Sequence, residues 1–131
     1  MTLKELSQFY YLNREIEIDK KRLHELECMA VSISPNLTGM PHSPGVSDKV
    51  GHYAAEIADI KGIIEAKHQR CLYERSRLER YIASIDDSLI RQIFTLRFVN
   101  GLPWEQVAAC VGGSNTAGSI KMMCHRYLRR E

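Results

Sequence analysis

The stretch Leu102-Pro-Trp-Glu-Gln-Val-Ala-Ala-Cys-Val-Gly-Gly-Ser-Asn-Thr-Ala-Gly-Ser-Ile-Lys-Met-Met-Cys-His-Arg-Tyr-Leu-Arg-Arg130 decides the fold. It divides at Gly112-Gly113 into two helical patterns. Pro103 suits the first helical position, where the missing N–H would have had no intrahelical partner. From Trp104 to Val111 no breaker intervenes. The second pattern opens at Asn115 or Thr116 and runs to Arg130. Within it Ile120, Met123, Cys124 and Tyr127 fall at steps of three, four and seven, the buried stripe of a helix. Two helices that cross closely need a small residue at the contact and a glycine in the turn. Ala108 is that residue, with Val107 and Val111 beside it on the buried side, and Gly112 is the turn glycine. The pattern is that of a helix-turn-helix. Trp104 reads as a core anchor, with a stacking platform as the alternative.

A short helix over about Asp87 to Val99 is expected before this pair. Leu89, Ile90, Ile93, Phe94, Leu96 and Phe98 are its apolar residues, and Asn100-Gly101 suits its C-cap. The face of the last helix opposite the buried stripe then points outward. With the approach to it, that face contributes the candidate DNA-contacting residues Asn115, Thr116, Ser119, Lys121, Met122, His125, Arg126 and Arg129. Short polar groups at a helix N-terminus meet phosphate beside its backbone N–H groups. Asn can read an adenine edge in the major groove. Lys121, Arg126, Arg129 and Arg130 can neutralise phosphates. Plainer roles compete: Asn115 or Thr116 as an N-cap only, and His125 as a surface histidine.

Residues 87–130 resemble region 4 of sigma-70-type factors. The resemblance rests on Ser88-Leu-Ile-Arg-Gln-Ile-Phe-Thr-Leu-Arg-Phe-Val-Asn-Gly-Leu-Pro-Trp-Glu-Gln-Val-Ala108 and the glycine turn after it. The family has a helix ending in Leu-Arg-(Phe/Tyr), a Gly-Leu turn, and a helix carrying Glu-Glu-(Ile/Val)-Ala. The whole chain is similar to short phage and prophage proteins of Gram-positive bacteria, sigma-region-4-like and akin to the ArpU-type late-transcription regulators. That resemblance implies binding to double-stranded DNA and a role in phage gene expression, with the helical remainder touching RNA polymerase or forming a homodimer. There are two departures. Pro103 stands where the family has a Ser or Thr cap, and Ile120 lies eight positions after Gly112 where the family usually has a spacing of six. No sigma region 2 is present, so promoter melting by this chain alone is not expected.

Working outward, residues from about Leu3 to Ala30 contain no Pro or Gly. Phe9, Leu12, Ile16, Asp19, Leu23, Leu26, Ala30 and Ile33 step by three and four, a heptad seam with one polar interruption. Leu3, Leu6, Tyr10 and Ile18 broaden it. Pro35, Pro41, Pro44, Gly39 and Gly45 exclude a helix through the next stretch. A loop is therefore expected over 32–48, serving reversal or contact. Ser47-Asp48 reads as a helix start. A second seam runs through Val50, Tyr53, Ile57, Ile60, Ile64, Lys67, Cys71, Glu74, Leu78, Tyr81 and Ile85, interrupted at Lys67 and Glu74. The simplest burial for both seams is an antiparallel coiled-coil hairpin; dimerisation through the same seams competes. A junction is placed at Ser84–Ser88, where Ser84 or Asp86 can cap, with one continuous helix over 48–99 as the alternative. The expected fold is all-α: a hairpin over 1–85 and a helix-turn-helix domain over 86–131.

Composition narrows function. Residues 1–87 carry 12 Lys/Arg against 14 Asp/Glu, and residues 88–131 carry 6 against 2, so positive charge gathers at the C-terminal end, which suits a polyanion. A plainer alternative is a basic helix end complementing its dipole. Cys28, Cys71, Cys110 and Cys124 form no C-x-x-C pair and are expected as reduced thiols. The five histidines are scattered, so no metal site or cofactor is expected. No catalytic grouping stands out, and an enzyme is not expected. No secretory or transmembrane pattern is present, so a cytoplasmic protein without a membrane partner is expected. The leading reading is a DNA-binding regulator. A DNA-packaging subunit of the small-terminase kind and a protein-interaction module on the same fold are the alternatives.

Overall fold

The computed structural model describes residues 1–33 and 44–130, and no strand occurs among them. Five α-helices occur in order: α1 (Leu3–Ile33), α2 (Pro44–Ala83), α3 (Ser88–Phe94), α4 (Trp104–Val111) and α5 (Ala117–Arg129). A π-helical segment, Thr95–Val99, continues directly from α3. Residues 34–43, the centre of the expected loop, lie outside the described residues. At its margins, α1 runs on to Ile33, and α2 starts at Pro44 instead of Ser47-Asp48. Proline opens a helix without losing an intrahelical hydrogen bond, so Pro44 serves as a start as well as a break. The continuous helix over 48–99 does not form, because α2 ends at Ala83 and α3 begins at Ser88.

The chain packs as two compact units, one of residues 1–13 with 70–131 and one of residues 14–69. The first contains most of the buried apolar side chains. Leu6, Phe9 and Leu12 come from α1, Cys71, Leu78 and Ile82 from α2, and the rest from Ile85 onward. The two long helices run antiparallel here. Arg77 Nη2 lies 3.4 Å from Glu5 Oε1, and Cys71 Sγ donates to Asn13 Oδ1 at 3.2 Å. The core differs from the expected seam in two ways. Leu6 is wholly buried while Leu3 and Tyr10 are exposed, and Ile82 is more deeply buried than its neighbour Tyr81.

Phe94 is wholly buried and meets three rings. Tyr81 stacks at 6.5 Å, while Phe98 at 5.3 Å and Tyr127 at 5.6 Å approach edge-on. Edge-on and offset contacts of this kind add to burial. At the break before α3, Asp87 accepts from Leu89 N–H at 2.8 Å, so Asp87 is the cap, not Ser84 or Asp86. Ser84 Oγ instead donates to the Tyr81 carbonyl at 2.6 Å. Arg91 Nη1 donates to the carbonyls of Ile85 and Asp86, at 2.7 and 3.3 Å. The break is thus held from both sides.

The second unit is an antiparallel helix pair. Its register is marked by the two residues that interrupt the seams. Lys67 Nζ lies 2.6 Å from Asp19 Oδ2 and 3.6 Å from Glu15 Oε2. The hydrogen bond to Asp19 is the main reason the Lys67 ammonium titrates above its usual value. Such a partly exposed pair contributes about 0–1 kcal/mol, so it selects register more than it adds stability. Among the described residues, Ile16 and Leu26 are the buried apolar side chains of this unit. Tyr53, Ile57, Ile60 and Ile64 are only half-buried, and Ile18 is exposed.

Candidate nucleic-acid interface

The candidate interface is built on α4, α5 and the segment between them. The π segment sets the entry to α4. Asn100 N–H reaches the Thr95 carbonyl at 3.0 Å and Leu102 N–H reaches the Leu96 carbonyl at 3.1 Å. A π turn takes up an extra residue and so rotates the chain beyond it. Gly101 then reverses the chain at φ +69° against Tyr10, where a Cβ would come within 3.3 Å of the ring. Arg97 straps this corner, since Nη1 donates to the Leu102 carbonyl at 3.0 Å and its guanidinium lies 4.6 Å from the centre of the Trp104 ring. Trp104 is half-buried under that guanidinium. Pro103 takes the N-cap position instead of the expected first helical position, which is Trp104, and makes no side-chain cap bond.

α4 ends where Gly112 N–H bonds the Ala108 carbonyl at 3.0 Å. Gly112 has φ +77° and ψ −163°, a region open essentially to glycine, and Gly113 comes next at φ +69°. Asn115 Nδ2 donates back to the Gly112 carbonyl at 3.1 Å, which ties the turn closed. Thr116 caps α5. Its Oγ1 accepts from Ser119 N–H at 3.2 Å, while Ser119 Oγ accepts from Thr116 N–H at 3.0 Å. This reciprocal pair is a capping box with Ser in the second position.

The structure therefore sorts the candidate residues by what they touch. Asn115, Thr116 and Ser119 hold the turn and the cap. Lys121, Met122, Arg126 and Arg129 are exposed on α5, and Arg130 is exposed just beyond it. His125 is half-buried, and together with Arg129 it lines a groove with Met1, Thr2, Leu3 and Glu5. This neighbour from α1 has no signal in the local sequence. Opposite the exposed side chains, Ile120 and Cys124 are wholly buried and Met123 and Tyr127 half-buried. Val107 and Ala108 are buried on α4, and Val111 is half-buried.

The electrostatics of the segment are one-signed. No Asp or Glu occurs between Glu105 and Glu131. The Cys124 thiol is pushed up to about 11 by burial, so it stays protonated and contributes no negative charge at neutral pH. Among the described residues no group of three metal-ligating side chains forms, and no helix is long and apolar enough to cross a membrane. Set beside known families, curated proteins and solved structures, the chain matches no family model, no curated protein and no solved structure.

Proposed function

We propose that α4, the Gly112–Thr116 turn and α5 act as a helix-turn-helix, and that the protein binds double-stranded DNA with α5 in the major groove as a transcriptional regulator. The observation that carries this reading is the outward face of α5. Its buried stripe is used up in the core, and the remaining side chains present Lys121, Met122, Arg126 and Arg129 on a segment with no carboxylate. Cations on a rigid helix are what phosphate neutralisation needs. The Gly-rich turn held by Asn115 supports the same reading, as does the burial of Ala108, a residue small enough to allow two helices to approach closely.

A division of labour is part of the proposal. Thr116 and Ser119 satisfy each other and fix where α5 begins, and base contact is assigned to the next exposed positions. Those are Lys121 and Met122. Arg126, Arg129 and Arg130 lie toward the C-terminal end and suit phosphates. Regulation in phage gene expression, as the sigma-region-4 resemblance implies, belongs to this proposal. Repeated selection from a random duplex pool with the purified chain tests it. A shared motif should be enriched, and the enrichment should vanish with Lys121→Ala/Arg126→Ala. A pool without enrichment after several rounds would refute the proposal.

A further inference from the structure

We propose that the corner where α1 meets the approach to α4 is a binding site for a small aromatic carboxylate, a single ring bearing one acid group. Ser7, Tyr10, Tyr11, Arg97, Phe98 and Gly101 line a cavity there of about 200 Å³. All of them belong to the unit of residues 1–13 with 70–131. Ser7, Tyr10 and Tyr11 stand three and four positions apart, so they share one face of α1. The aromatic walls set the first requirement on a ligand. The Tyr10 and Tyr11 ring centres are 5.5 Å apart with their planes at 74°, and buried Phe98 adds a third ring. Rings favour offset and edge-on partners, so a planar guest finds both kinds of contact here. One wall is set in advance. The Tyr10 ring lies against Gly101, where a Cβ would come within 3.3 Å of it. A preformed wall costs a ligand little ordering. Tyr10 and Tyr11 are nevertheless 40% and 61% exposed, ring surface that this unit leaves uncovered.

Charge sets the second requirement. Arg97 is the one charged side chain among the described residues that line the cavity. Among the described residues its guanidinium donates through Nη1 to the Leu102 carbonyl and lies over the Trp104 ring, and neither carries a negative charge. A guanidinium has about five N–H donors in a planar fork, so a single carbonyl leaves most of them for a ligand. That fork matches the two oxygens of a carboxylate. A bare anion would leave the rings uncovered, and a neutral ring would leave the cation unmatched. One molecule that carries ring and acid together answers both. The volume sets its size. Cavities for drug-sized ligands run from about 300 to 1,000 Å³, so this smaller one suits a single ring, and a nucleotide or a partner's helix exceeds it.

Titration of the isotope-labelled full chain with benzoate, followed through its backbone amide shifts, tests the proposal. Saturable shifts are expected at Tyr10, Tyr11, Phe98 and Gly101, with a dissociation constant of about 1 mM or below. Benzamide keeps the ring and shape but not the charge, and should bind about tenfold more weakly or worse. Acetate and inorganic phosphate, which carry charge without a ring, should give no saturable shift at these amides. On the protein side, Tyr11→Leu removes an exposed ring without touching the core and should weaken benzoate about tenfold. Arg97→Lys keeps the charge but loses the fork, and should weaken benzoate severalfold while leaving benzamide unchanged. Helix content by circular dichroism checks that both variants are folded. The proposal is overturned if benzoate gives no saturable shift at these amides, or if benzamide, acetate or phosphate binds as tightly as benzoate. It is equally overturned if folded Tyr11→Leu and Arg97→Lys both bind benzoate as the parent chain does.

Discussion

The cations at α5 make a numerical prediction about DNA affinity. Lys121, Arg126, Arg129 and Arg130 are exposed, while Arg91 and Arg97 are engaged with backbone carbonyls and Trp104. If each exposed cation displaces one condensed counterion, log affinity should fall with log salt at a slope of about −3.6, roughly a hundredfold loss between 50 and 200 mM. Lys121→Ala/Arg126→Ala leaves two cations, a slope of about −1.8 and about a tenfold loss over the same range. Both residues are solvent-facing and make no packing contact that their loss would unmake, so stability should be unaffected. The assay is fluorescence anisotropy with a labelled duplex across a salt series, repeated with Arg97→Lys as a basic residue outside the set. An unchanged slope in the double variant would show that α5 does not face the phosphates. A slope near zero in the parent chain would remove phosphate contact from the reading altogether.

Other consequences are open to direct measurement. Gly112→Ala forces a Cβ into φ +77°, ψ −163° and should destabilise the chain by about 1–3 kcal/mol in urea unfolding, whereas Gly62→Ala, in open space within α2, should leave it unchanged or raise it by about 1 kcal/mol. Asp19→Leu leaves Lys67 in the seam opposite an apolar neighbour and should lower the midpoint of unfolding; Asp19→Leu/Lys67→Leu should recover it, because matched apolar residues suit a coiled-coil seam better than a half-pair. With a folded-state pKa near 11 against an ordinary value near 9, Cys124 favours the folded chain fully below pH 9, and this contribution drains away as pH rises toward 11. The parent chain should lose up to about 2 kcal/mol more over that range than Cys124→Ala, with coincident curves as the refuting result. In the native protein, Cys28 and Cys110 should react quickly with an aromatic disulfide reagent, while Cys71 and Cys124 wait for unfolding.

Which parts of this arrangement can be read from the chain depends on how local their causes are. Ile120 and Cys124 fall on one helical stripe, and the 3.6-residue period alone marks them. Asp19 and Lys67 are visible as interruptions in separate seams, and the structure brings those interruptions together. The full burial of Leu6 is not visible along α1, because the compact unit it belongs to is completed by residues 70–131, far along the chain. Asn115 illustrates a different limit: its pattern allows a cap, a base contact or a turn clamp, and only the position of the Gly112 carbonyl selects among them. The π segment at Thr95–Val99 has no periodic signature at all, since a single added residue per turn is too short to register. Pro44 is ambiguous in principle, as proline both ends one helix and begins the next.

The mingling of Leu6, Phe9 and Leu12 with Ile120 and Cys124 in one unit also bears on how the protein is made. During synthesis the early residues emerge with their apolar faces long before α5 exists to cover them. Contacts so distant along the chain form late, after the entropy of closing the intervening loop has been met. For most of translation those side chains must therefore be shielded by α2, by a chaperone, or by one another. Whatever delays or alters the first turns of α1, such as a bulky appended tag, should be felt first in the yield of folded chains and only afterwards in their activity.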